Sequence, residues 1–160
     1  MRVLFTLRLT VYRPTVVNYT DIPFFAVHRL SFALRKELSQ RFANAGHAVT
    51  PEEWAVLLVL WSHSPQTPSS LSEATIRDRT TVTRLIDGMV RKNLVIRREN
   101  ATDRRRSDIT PSPAGLALEK QLVPIAFDLI NEVSAGVAAD DLEITRRTLT
   151  QLTQNLISLD

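Results

Sequence analysis

The chain has 160 residues, 44% of them apolar, a formal charge of +3 and no cysteine. That length fits one compact domain or one domain with an added dimerisation element, and the apolar share is too high for a disordered protein. The missing cysteines exclude disulfides, thiolate zinc sites and thiol redox sensing, and no run of about 18 apolar residues is present to span a membrane.

The first 20 residues, MRVLFTLRLTVYRPTVVNYT, alternate loosely between apolar and polar and contain Arg2, Arg8 and Arg13, with Pro14 as a breaker. They lack the long apolar core of a secretory signal, so no signal peptide is expected and a cytoplasmic location is. A short strand, a partner-binding arm and a misassigned start site stay open for this segment. Helix one is expected to begin near Asp21, with Pro23 in its first turn, where a missing N–H matters little. Val27, Leu30, Leu34, Leu38 and Phe42 follow helical spacing, and Gly46 closes the segment.

Thr50-Pro51-Glu52-Glu53 reads as an N-cap, a proline at the first helical position and a capping-box glutamate. Trp54, Leu57, Leu58 and Trp61 are the expected buried face of this second helix. A connection at residues 64–69 holds Pro65 and Pro68 and breaks the pattern. Residues 70–76 then suggest about two helical turns. Arg77-Asp78-Arg79 is a tight connector with Asp78 as cap. From Thr80 onward, Val82, Leu85, Ile86, Met89 and Val90 form an inward stripe, and Thr80, Thr81, Thr83, Arg84, Asp87 and Arg91 face outward. Two short helices joined by a tight turn, the second amphipathic, make a helix-turn-helix.

Leu94-Val95-Ile96 and Ile109-Thr110 are β-prone and flank residues 97–107, RRENATDRRRS, which hold five arginines. The expected form is a two-stranded hairpin with that stretch as its tip. Ser112-Pro113 starts another helix, expected to reach Ala135 or Gly136 and to bend near Pro124. The last helix begins near Asp140-Asp141, where acid suits the positive end of the dipole. Its Leu142, Thr145, Leu149, Leu152, Leu156 and Leu159 alternate spacings of three and four, as in a helix-packing seam.

The charge is concentrated in the centre. Residues 71–110 carry ten Lys/Arg against six Asp/Glu, whereas the other 120 residues carry ten against eleven. A helix that enters a major groove needs an apolar back and a small or hydrogen-bonding front. Thr80, Thr81, Thr83 and Arg84 supply such a front, although an ordinary surface helix would look similar. Gly88 sits in this helix and weakens it by roughly 1 kcal/mol; close packing is one reason for it. An arginine tip suits the enhanced negative potential of a narrow minor groove. Asp103, two residues from Arg105, is placed either to hold that guanidinium in one rotamer or simply to dilute repulsion.

Several stretches together resemble one family. They are Thr50-Pro51-Glu52-Glu53-Trp54-Ala55-Val56-Leu57, Leu71-Ser72-Glu73-Ala74, Asp78-Arg79-Thr80-Thr81-Val82-Thr83-Arg84-Leu85-Ile86-Asp87, Leu94-Val95-Ile96-Arg97-Arg98, Asp103-Arg104-Arg105 and Ser112-Pro113-Ala114-Gly115. In order and spacing, over roughly residues 22–159, the chain is similar to the MarR (multiple antibiotic resistance regulator) family. The resemblance implies a mainly α fold with a small β-hairpin wing: a winged helix-turn-helix flanked by N- and C-terminal dimerisation helices. It implies a homodimeric transcription regulator of double-stranded DNA, most simply a ligand-responsive repressor on a palindromic operator. The divisions expected are an arm at 1–20, a dimerisation helix at 21–48, a DNA-binding domain at 49–112 and dimerisation helices at 113–160.

The resemblance assigns the major groove to Arg79, Thr80, Thr81, Thr83 and Arg84. It assigns the minor groove to Arg105 with Asp103 as buttress, and further groove or phosphate contacts to Arg104 and Arg106. Family members bind small aromatic or anionic effectors between the dimer helices and the winged helix; His28, Phe32, Trp54 and Trp61 are the candidates here, with plain core packing as the alternative. The family usually has an apolar residue two positions before the Pro-Ala-Gly start. Pro111 stands there, so the return strand of the wing is expected to end early.

No enzyme is expected: the sequence has no phosphate-cradling glycine loop, nucleophile motif or metal-ligand spacing. His28, His47 and His63 lie far apart in sequence, so neither a metal nor a cofactor is expected. The alternative function is a winged-helix module that docks protein without sequence-specific DNA binding. Such a module would want a more apolar recognition-helix front.

Overall fold

Three of the helix starts share one device, a Thr-Pro or Ser-Pro pair. In the computed structural model, which describes residues 18–100, 102–103 and 105–159, α2 (Pro51–Ser62), α3 (Pro68–Thr75) and α5 (Pro113–Val133) each open on proline. In each case the preceding hydroxyl caps the helix: Thr50 accepts from Glu53 N at 3.2 Å, Thr67 from Ser70 N at 3.1 Å and Ser112 from Gly115 N at 2.9 Å. Each bond satisfies an amide that has no intrahelical acceptor. The second device was not read from the sequence: Thr67-Pro68 starts α3 two residues before the expected Ser70.

α1 (Pro23–Asn44) begins two residues after Asp21, which lies in a 3-10 turn at Tyr19–Asp21. The loose alternation of the first seventeen residues lies outside the described residues. Only Phe42 of the expected α1 stripe is fully buried; Leu34 and Leu38 are half-buried, and Val27 and Leu30 are exposed. α4 (Arg79–Arg91) is capped by Asp78, whose carboxylate accepts Thr81 N at 2.8 Å. Hydrogen bonding from Thr81, its side chain first and its backbone N–H second, holds the Asp78 carboxyl below its ordinary value. Asn93, in a left-handed conformation, ends α4 by letting Leu94 N reach Met89 O.

β1 (Val95–Glu99) and β2 (Ser107–Pro111) pair antiparallel, with Val95 opposite Pro111 and Glu99 opposite Ser107. Two expectations change here. Arg97 and Arg98 belong to a strand, so the tip is shorter than the whole arginine stretch. The return strand also does not stop before Pro111. Hydrogen bonds Asn100 N to Arg106 O and Ser112 N to Leu94 O bracket the ladder, and between them bonded pairs alternate. Position 111 falls on a non-bonded pair, where the proline's missing N–H faces away from β1 and removes no ladder bond. The outer edge of β2 is covered in part by Gln66, which exchanges both backbone bonds with Ile109.

The core joins Phe42, Val56, Leu57, Leu60, Leu71, Val82, Ile86, Met89, Ile109 and Leu122, all at most 1% exposed. The inward face of α2 is thus Glu53, Val56, Leu57 and Leu60 rather than the expected set; Trp54 and Trp61 flank it half-buried, and Leu58 is 40% exposed. In α4 the stripe holds at Val82, Ile86 and Met89, but Leu85 is half-buried and Val90 is exposed. Arg41 of α1 clamps Glu132 of α5 through two bonds of 2.9 and 2.6 Å, which fixes the end of one long helix to the other. α5 stops at Val133, short of Ala135. α6 (Ala139–Ile157) carries the expected acidic first turn, but none of its residues is buried within the chain.

Candidate nucleic-acid interface

α4 is amphipathic at the helical period, so burying Val82, Ile86 and Met89 forces the opposite face into solvent. Arg79, Thr80, Thr81, Thr83 and Arg84 all lie on that exposed side, as the spacing requires. Two of them are partly committed within the fold. Arg79 Nη2 donates to Ser69 Oγ of α3 at 2.8 Å, which holds its guanidinium across the helix pair. Thr83 Oγ donates to Arg79 O at 2.8 Å, so it retains lone pairs and a methyl group for an outside partner but no free proton. Thr80 and Arg84 make no such bond among the described residues, and Arg84 keeps its planar fork of donors.

The wing stands against the same helix. Arg97 Nη1 of β1 meets Asp87 Oδ1 of α4 at 2.9 Å, an ion pair that joins the base of the hairpin to α4. Its tip is organised by Asn100. Asn100 Oδ1 accepts from Thr102 N, Thr102 Oγ and Asp103 N at 3.0, 2.7 and 2.9 Å, and its amide donates to both carboxylate oxygens of Asp108. The Asn-plus-two pattern is a recognisable Asx-turn signal, while the cross-strand Asp108 bond needed the register. Asp103 Oδ1 then accepts Arg105 N at 3.0 Å and Arg105 Nε at 3.3 Å. The Arg105 side chain is 92% exposed, held at its root and free at its end. Arg106 is exposed beside it, and Arg104 lies outside the described residues.

The four aromatic ligand candidates do not come together. Trp54 lines a cavity of about 480 Å³ between α1, α2 and α5, with Leu34, Arg35, Leu38, Phe127 and Ile130 among its other walls. Trp61 packs edge-on against Trp54 at 5.5 Å and donates its Nε1 to Gly115 O at 3.1 Å, which is a structural task. The rings of His28 and Phe32 meet at a tilt, 5.4 Å apart, on the exposed part of α1 and do not line the cavity. The direction of that face of α1 depends on what α1 packs against. Among the described residues no group of three or more His and carboxylate side chains is placed to hold a metal ion, and no helix is long and apolar enough to cross a membrane.

Residues 49–107 match the sequence profile of the MarR family. The transcriptional repressor YetL of Bacillus subtilis is 25% identical over 114 residues, which cover 70% of this chain and 68% of that protein. A Staphylococcus aureus MepR–DNA complex superposes with a TM-score of 0.76 at 21% identity, over 84% of this chain and 98% of that one. Bordetella bronchiseptica BpsR, whose structure is described as a mechanism for regulation of DNA binding by 6-hydroxynicotinic acid, superposes with a TM-score of 0.77 at 19% identity, over 86% and 97% of the two chains. At those identities the two structures establish the shared fold.

Proposed function

We propose that the chain, whose residues 49–107 match the MarR family, is a DNA-binding transcription regulator that acts as a homodimeric repressor of a palindromic operator, released by a small aromatic or anionic effector. The observation that carries the DNA part is one surface. The exposed Thr80, Thr81, Thr83 and Arg84 stand over a buried Val82, Ile86 and Met89, and an arginine-tipped hairpin is joined to the same helix through Arg97 and Asp87. On this reading Arg84 reads bases in the major groove, and Arg79 and the threonines set register on phosphates and base edges. Arg105 enters the minor groove with its guanidinium stem held by Asp103, and Arg104 and Arg106 add groove or phosphate contacts.

The homodimer is supported by what the single chain leaves uncovered. α6 has no fully buried residue within the chain and exposes Leu142, Ile144, Leu156 and Ile157, and α1 exposes Phe24, Leu30 and Phe32. Apolar surface of that extent on long helices calls for a partner. Residues 21–48 and 113–160 therefore serve dimerisation and residues 49–112 DNA binding. The effector is supported by the cavity behind Trp54, whose walls are apolar except for Arg35 and the Ser31 hydroxyl. A ligand there works only by binding the DNA-competent and incompetent dimers with different affinity.

The test is selection of binding sites from random duplex DNA by the purified full chain, followed by footprinting and by release assays with small aromatic acids. A two-fold site with half-site centres about one helical turn apart, roughly 10 bp, supports the reading. Failure to enrich any sequence would favour the protein-docking alternative, and a monomer by sedimentation at working concentration would remove the palindrome.

A further inference from the structure

The turn that aims α4 is held at two levels. Its backbone is closed on Ser72: Arg77 N donates to Ser72 O at 3.0 Å, and Ser72 Oγ donates back to Arg77 O. Inside it, Ile76 adopts φ 51°, a left-handed conformation that a β-branched residue keeps only where its surroundings impose it. The Arg77 side chain reaches away from the turn to the first turn of α2, where its Nη2 lies 3.5 Å from Glu52 Oε1. The same carboxylate oxygen accepts Arg35 Nη2 from α1. Arg35 also lines the α1/α2/α5 cavity, as the one charged side chain among its walls.

We propose that Glu52 is a positioning residue for DNA binding: shared by Arg35 and Arg77, it ties the long helix α1 to the turn that sets the angle of α4. The inference rests on the reading of α4 as the DNA-contacting helix. One oxygen serves two guanidiniums, so anything that draws Arg35 away changes the hold on Arg77. An anion seated beside Arg35 would do so, which connects the cavity to the turn without any contact to α4 itself. Fully exposed ion pairs carry little, but the three side chains here are only 42%, 32% and 29% exposed. Small motion at the turn suffices. Arg84 lies about 8 Å from the start of α4 at 1.5 Å per residue, so a tilt of about 5° at that start moves its backbone by about 0.7 Å. That exceeds the distance range over which a hydrogen bond to a base edge survives.

The experiment uses the full chain and the duplex enriched in the selection, at one fixed salt concentration, with Glu52→Gln, Arg35→Gln, Arg77→Gln and their pairs. Melting is followed in parallel. Removing a carboxylate should by itself strengthen binding to a polyanion. The tie predicts the reverse, a loss of about tenfold for Glu52→Gln, within the ordinary range of inter-site coupling. Arg35→Gln should weaken binding as well, and Arg35→Gln combined with Glu52→Gln should bind no worse than Glu52→Gln alone. Should Glu52→Gln melt far below the parent, the Arg35→Gln and Arg77→Gln pair carries the test, because those residues make no bond to each other and couple only through Glu52. Unchanged or tighter binding by Glu52→Gln, or effects of Arg35→Gln and Arg77→Gln that simply multiply, would overturn the proposal. A parent protein that enriches no duplex refutes the DNA-binding reading itself and the tie with it.

Discussion

Gly115 is the residue whose replacement the structure prices most directly. It occupies the third helical position of α5, and a Cβ there would sit 2.0 Å from Leu94 O, 3.1 Å from Leu94 C and 3.5 Å from Ser112 Oγ. The closest of these is about 1.5 Å short of the roughly 3.5 Å at which non-bonded heavy atoms are comfortable. The obstacle is backbone, so it cannot rotate aside. Moving α5 away instead stretches the bond from Ser112 N to Leu94 O, now 3.0 Å, and the Trp61 bond to Gly115 O. Overpacking of this kind destabilises by about 1–3 kcal/mol, and a weakened backbone bond adds about 1 kcal/mol. Alanine's better helix propensity returns at most about 1 kcal/mol. Gly115→Ala should therefore lose about 2 kcal/mol, a fall in Tm of roughly 4–8 °C for a chain of this size.

Gly88→Ala is the matched control. Its added Cβ meets only Arg91 Nη2, at 3.8 Å, so the close packing considered for this glycine is not present. With no clash to oppose it, the propensity gain should raise Tm by roughly 2–4 °C. Circular-dichroism melts read both, at one protein concentration, since a dimer's Tm depends on it. Gly115→Ala melting at or above the parent, or both alanines shifting Tm the same way, would refute the reasoning.

Three further predictions concern the interface. Arg105→Ala should weaken operator binding by about 1–3 kcal/mol without lowering Tm; Asp103→Ala should also weaken it, although it removes a negative charge, and should add nothing to Arg105→Ala. Tighter binding by Asp103→Ala at matched salt would reduce Asp103 to a diluter of repulsion. Arg84→Ala should cost about 1–3 kcal/mol on the selected site and much less on a scrambled duplex; equal losses on both would make Arg84 a phosphate contact. The Asp78 carboxyl is depressed below its ordinary value, chiefly by Thr81. Its contribution to stability is therefore full above the unfolded carboxyl's range and fades as pH falls through the depressed value. Asp78→Asn should flatten the fall in Tm on acidification, and an unchanged slope would remove the cap from the acid response.

Local signals were legible before any coordinates. Thr50-Pro51-Glu52-Glu53, Asp78 and Ser112-Pro113 announce helix starts because a cap needs only atoms within three or four residues, and the α4 stripe announces its own exposed front because a helix has one period. The threonine and arginine face and the basic hairpin could thus be placed from sequence alone. Everything that turned on distance along the chain needed the fold. Which side of α2 is buried was decided by the helices around it, so Leu60 replaced Leu58. Pro111 fits a strand only because the register puts it on a non-bonded pair. His28 and Phe32 are left outside the cavity because α1 turns that face from α2 and α5, and Arg35, Glu52 and Arg77 meet across three separate elements. A cap or a periodic stripe is a property of neighbouring residues; which faces touch, and which charges share a partner, is settled only when the elements pack against one another.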